Sequence, residues 1–163
     1  VEHLVAIELE LVDLLRQSLE LEIVERLACG EADAALEARL TDALARQRAL
    51  LARQEATGTL TDADCVEFIE ADQAFHQAMY VALGREALWA LVRRQSGHID
   101  RLCRLHLPKA GKITEILEAH TAIVDAIEAG SPDAAQAALR DHLSRSLDFA
   151  DSLKASHPEY FRG

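Results

Sequence analysis

The sequence predicts an all-α fold, and three observations carry the prediction. Glycine and proline number only 7 and 3 in 163 residues and aromatics make up 4%, too few for a turn-rich β-sandwich or barrel. Leu, Ala, Glu and Arg, all good helix formers, are abundant. Apolar residues recur at the i, i+3, i+4, i+7 spacing of one helix face, over segments separated by short breaks. With 50% hydrophobic and 28% charged residues, the chain has enough apolar surface to bury a core and reads as one domain.

Six helical segments follow in order. The first runs from about Leu4 to Ala28 and stops at Cys29-Gly30, glycine being the usual residue just past a helix end. The second, about Ala32 to Gln54, ends near Thr57-Gly58-Thr59, and its Ala, Glu and Arg bias predicts a largely solvated face. The third starts at Thr61 or Asp62, both plausible caps, and continues through Leu83 to Gly84. A fourth covers roughly Glu86 to Leu107 and is closed by Pro108 and Gly111. The fifth spans about Ile113 to Ala129 before Gly130. Ser131 caps the sixth and Pro132 takes its first position, where the missing N–H costs nothing; it runs to about Ala155. Long helices joined by short loops pack as an antiparallel bundle.

Charge and composition exclude several roles. A formal net charge of −11 argues against these residues gripping a phosphate backbone, which needs clustered Lys and Arg. No apolar run approaches the about 18 residues of a membrane span, and no basic-then-apolar leader is visible, so the expectation is a cytoplasmic protein without a membrane segment. Cys29, Cys65 and Cys103 are odd in number and widely spaced, which predicts buried free thiols rather than disulfides. The chain opens on Val1 rather than Met, which predicts a piece of a larger protein.

The histidines are the informative feature, because an amphipathic helix keeps its buried stripe apolar unless a polar group there has a partner. Ile113, Ile116, Leu117, Ile123, Val124 and Ile127 share one face of the fifth helix, with His120 in its middle. In the sixth helix Ala135, Ala138, Leu139, Ser146 and Phe149 form a similar stripe centred on His142. In the third, Cys65, Ile69, Met79 and Leu83 share a face with Asp72 and His76, which stand one turn apart. One carboxylate and three imidazoles are thereby expected to face a common interior.

Burying four such groups is expensive unless they satisfy one another, and a divalent cation satisfies all four at once. Imidazole and carboxylate donors suit zinc, nickel, iron or manganese rather than calcium or magnesium, and four protein donors leave positions for water or for an oxygen ligand. Core histidines hydrogen-bonded to carbonyl groups are the other reading of the same stripes. Arg16 lies within the first helix's face of Val5, Leu9, Val12, Leu19, Ile23 and Leu27, and a buried guanidinium needs an anion, either an internal carboxylate or an incoming one. Arg94 and Arg101, with His98 between them, form a second candidate row for such a ligand or else a solvated face. His3 and His157 are expected to be solvated, His98 and His106 to line either the same interior or its rim, and Trp89 to be a packing anchor.

Several stretches carry a family resemblance. Asp72-Gln73-Ala74-Phe75-His76, then Glu118-Ala119-His120 with Ile123, Ala126 and Ile127, then Gly130, Asp133 to Ala135 and Arg140-Asp141-His142-Leu143 resemble the ligand-sensing C-terminal domain of the FadR subfamily of GntR transcription regulators. Arg16-Gln17-Ser18-Leu19-Glu20 is similar to that domain's early Arg-x-x-Leu-Glu element, and Pro158 to Phe161 to its common ending. Gly84-Arg85 departs from the family, which usually has Asn there.

The resemblance implies a bundle of six or seven helices with a central cavity. It implies a divalent metal, zinc first, held by Asp72, His76, His120 and His142. It also implies a homodimer, a small carboxylate effector such as a hydroxy acid, sugar acid or dicarboxylate, and a separate N-terminal winged helix-turn-helix that binds DNA. Arg16, Arg94, Arg101 and His98 are the candidates to meet the effector. Acyl-CoA sensing, known in the branch without the metal residues, is disfavoured. Two rivals stand beside this reading. One is a metallohydrolase, which would lack an obvious inward general base here. The other is a helical dimerisation module whose interior metal is purely structural.

Overall fold

The computed structural model describes residues 2–97, 100, 104, 107–109 and 111–156, with side chains described except at 2–10, 146, 147, 149–154 and 156. Six long helices and no strand occur among the described residues: α1 (Glu2–Ala28), α2 (Leu36–Thr57), α3 (Asp62–Ala82), α4 (Glu86–Gln95), α5 (Lys112–Glu128) and α6 (Pro132–Ser156). None is long and apolar enough to cross a membrane.

Most boundaries follow the local chemistry expected of them. Thr61 caps α3 through a reciprocal box: its hydroxyl accepts from the Asp64 N–H, and the Asp64 carboxylate accepts from the Thr61 N–H. Gly58, at φ 74°, closes α2 by donating to the Gln54 carbonyl, a left-handed conformation that glycine takes without strain. Two boundaries depart from expectation. α2 starts four residues later than predicted, because the Asp33 side chain accepts the Ala35 N–H and pairs with Arg39, holding the preceding turn out of the helix. α4 ends at Gln95, where the Ser96 hydroxyl takes the Val92 carbonyl. Helix resumes beyond this break at Gly97, and Asp100 and Arg104 are helical as well, so the expected run toward Leu107 is interrupted rather than absent. His98, Arg101, Cys103 and His106 lie outside the described residues, as do His157 and the tail.

Short turns make α2 and α3, and again α5 and α6, antiparallel neighbours, and α1 lies along α6. α5 also touches α1 and α2, so that α1, α2, α3, α5 and α6 enclose the centre. The main core gathers Val24, Leu27, Phe75, Met79, Ile123, Leu139 and Leu143. A second apolar cluster at the α2–α3 end contains Leu50, Leu60, Cys65, Phe68, Ile69, Leu107 and Ile113. Trp89 packs on the main core beside Tyr80, as an anchor should. Cys65 is buried, but Cys29 is exposed, because it sits in the turn after the last helical residue of α1.

Candidate metal centre

Each histidine stripe points its imidazole inward. His76, His120 and His142 are 1%, 0% and 6% exposed, and they come from α3, α5 and α6. The Nε2 atom of His142 lies 3.3 Å from the Nε2 of His120 and 3.3 Å from the Nε2 of His76. Asp72, one turn before His76, brings Oδ1 to 3.4 Å from His120 Nε2. One donor atom from each of the four residues falls within 4.8 Å of all the others, so the group could hold a metal ion. Asp72 is only half-buried, in contrast to the fully inward carboxylate expected, and its 31% exposure opens one side of the cluster to solvent.

The opposite edges of two rings are held by buried acceptors. His76 Nδ1–H donates to Glu20 Oε2 at 2.8 Å, and His120 Nδ1–H donates to Gln47 Oε1 at 2.9 Å. Glu20 and Gln47 are both fully buried. With the protons on Nδ1, both Nε2 lone pairs face the centre, which is the tautomer a metal-ligating histidine needs. Phe75 stacks on the His120 ring at 4.0 Å and 13°, fixing its plane.

Arg16 and Glu20 stand one turn apart on α1, and Arg16 Nε donates to Glu20 Oε1 at 2.9 Å. A second guanidinium nitrogen donates to His76 Nε2 at 3.0 Å, so Arg16 reaches the cluster itself. The inward guanidinium therefore finds an internal carboxylate, and it also stands where an incoming anion would be met. Arg94 is exposed on the outer side of α4, its charge hydrated in solvent rather than turned inward. His98 and Arg101 are outside the described residues.

Electrostatics favour the neutral form of His120 and His142. Burial, then the neighbouring histidines and Arg16, push the pKa of His120 and of His142 well below the usual range. Burial would raise that of Glu20, but Arg16 and His76 outweigh it and hold the carboxyl well below the usual range. Asp72 is raised by burial, against the pull of His76 and Arg16. A neutral His120 and His142 beside a carboxylate are the protonation states in which a borderline divalent ion is bound.

Sequence reasoning did not single out Glu20 and Gln47, although both were marked. Glu20 follows Arg16 by one turn on the face of Val12, Ile23 and Leu27, and Gln47 interrupts the buried stripe of Leu36, Leu40, Ala43, Leu44 and Leu50. Glu20 also supplies the inward carboxylate that the sequence had not revealed, but its oxygens are already engaged by Arg16 and His76.

Comparison with known proteins matches residues 10–145 to the FCD domain family. The chain is also 32% identical over 147 residues to an HTH-type transcriptional regulator in an unstable DNA locus of Streptomyces ambofaciens. That alignment covers 90% of this chain, which spans 57% of the relative's length.

Proposed function

Since the chain belongs to the FCD domain family, we propose that this ligand-sensing regulator domain binds a divalent transition metal, zinc first, and through it a small carboxylate effector. The single observation that carries the reading is the convergence of Asp72, His76, His120 and His142 on one point, with the far edges of two rings held by Glu20 and Gln47. Asp72, His76, His120 and His142 would hold the ion. Bound there, the ion supplies a Lewis-acidic centre for oxygen donors.

The remaining work falls to the chain's own residues. Arg16 provides guanidinium N–H groups beside His76, suited to a carboxylate. The half-exposed side at Asp72 is the entry for a small hydroxy acid, sugar acid or dicarboxylate. Binding stabilises one packing of the helices that contribute the donors, and such a bias, if it differs between two states, alters a coupled domain. The coupled partner in this reading is a winged helix-turn-helix preceding the chain, acting in a cytoplasmic homodimer on operator DNA. The engaged state of Glu20 favours a sensor over a hydrolase, which needs an inward base free to take a proton.

Calorimetry with a panel of hydroxy acids, sugar acids and dicarboxylates, on zinc-loaded and chelated protein, tests the reading. Expected is binding that requires zinc and is lost in His120→Ala. Carboxylate binding that survives His120→Ala unchanged overturns it.

A further inference from the structure

The geometry points to Gln47 as the residue that sets the tautomer of His120 and thereby tunes the metal affinity of the cluster, an inference that rests on the metal reading above. α2 contributes none of the four donors, yet its buried stripe is interrupted by this one fully buried amide. A primary amide carries an acceptor on one arm and donors on the other, and burial obliges both arms to find partners. Gln47 Nε2 donates to the Ala71 carbonyl at 3.4 Å, a group on α3 next to Asp72. That contact fixes the direction of the amide, because a carbonyl accepts only. The oxygen is then the arm left facing His120, 2.9 Å from Nδ1.

An amide oxygen also accepts only, so the ring proton of His120 is held on Nδ1 and the lone pair is held on Nε2, toward Asp72 and His142. The stacked Phe75 ring fixes the plane of the imidazole, and Gln47 decides which edge carries the proton. The arrangement at His76 differs in kind: Glu20 is a carboxylate, whose two oxygens both accept whichever way it turns. At His120 the outcome depends on Ala71 orienting Gln47, which makes α2 part of the site.

The test uses the purified chain labelled with 15N-histidine. Long-range proton–nitrogen spectra of the metal-free protein report the His120 tautomer, and competition with a chromophoric chelator reports zinc affinity. The wild type is expected to carry the proton on Nδ1. Gln47→Leu is expected to lose that preference and to bind zinc about 10- to 100-fold more weakly, the usual effect of losing such a partner. Gln47→Glu, which keeps an acceptor, is expected to restore both. A merely structural role for Gln47 would not move the tautomer.

Two results overturn the inference: a wild-type His120 protonated on Nε2, which needs no variant to fold, or a Gln47→Leu protein with unchanged tautomer and zinc affinity. Wild type that binds no zinc while keeping the Nδ1 proton overturns the metal reading and the affinity claim, and supports the tautomer claim alone.

Discussion

The two halves of α3 are built by different rules. Its first half, Asp62 to Ile69, begins with the Thr61/Asp64 capping box and buries Cys65, Phe68 and Ile69 among apolar side chains from α2 and α5. Its second half buries Phe75, Met79 and Tyr80 in the main core and, beside them, carries Asp72 and His76 to a polar centre with Glu20, Arg16, His120 and His142. The apolar contacts are non-directional and roughly additive with area, whereas those of Asp72 and His76 depend on which atom donates and which accepts. One helix therefore packs apolar side chains along its whole length and adds a chemical scaffold only in its second half.

The largest effect expected from this division is at Phe68, 1% exposed in the apolar half. Phe68→Ala should cost about 4 kcal/mol of stability, the lost transfer energy plus the cavity left behind. Urea unfolding measures it. Zinc affinity, read at a temperature where the variant remains folded, should stay that of the wild type. A weakened metal site in Phe68→Ala would break the comparison, because it would mean that the apolar half holds the donors in place.

The same division explains what was readable in the sequence. The helices and the caps at Thr61 and Gly58 rest on local chemistry and periodicity, so they were legible within a few residues. Asp72, His76, His120 and His142 were legible because a titratable residue inside an apolar stripe violates a local rule. Gln47 violates the same rule within Leu36, Leu40, Ala43, Leu44 and Leu50, but the charged bias of α2 hid a narrow buried face. The pairing of Glu20 with His76 spans 56 positions, and the exposure of Asp72 depends on how helices close around it; neither follows from spacing along one helix. The break after Gln95 was not legible because the apolar pattern of Leu88, Leu91 and Val92 continues through Ile99 and Leu102, while the serine side chain competes for the Val92 carbonyl at Ser96.

Acid sharpens the comparison through a second, smaller effect. His120 and His142 are held neutral in the fold, with pKa well below the ordinary histidine value of 6.5. The unfolded chain therefore takes up protons below 6.5 that the folded chain refuses, and stability falls as pH drops. Between pH 7.5 and 5.5 the metal-free protein should lose roughly 2 to 3 kcal/mol, from about 1.4 kcal/mol per pH unit for each histidine. The capped end is insensitive in that window. Asp64, lowered to about 2 by the Thr61 hydroxyl and backbone and then by Arg53, contributes above its ordinary value of 3.8 and loses that contribution only as pH falls toward 2. Urea midpoints flat from pH 7.5 to 5.5 in the presence of chelator would contradict the burial of two neutral imidazoles.

The smallest effect is the most diagnostic, because one substitution should move two affinities in opposite directions. Arg16 donates to His76 Nε2 at 3.0 Å, and that lone pair cannot serve a guanidinium and a metal ion together. Its positive charge also opposes a cation at the cluster, while its N–H groups favour a carboxylate there. Arg16→Met leaves Glu20 in contact with the His76 Nδ1–H and removes both the competition and the repulsion. Zinc should bind several-fold more tightly, and any carboxylate that binds the zinc-loaded wild type should bind about tenfold more weakly, the loss of one charge-assisted hydrogen bond of about 1.4 kcal/mol. Chelator competition and calorimetry on the same preparation give the two numbers, with a thermal melt to verify folding. If both affinities fall together, Arg16 is a packing partner for Glu20, and the polar half of α3 needs it only to stay in place.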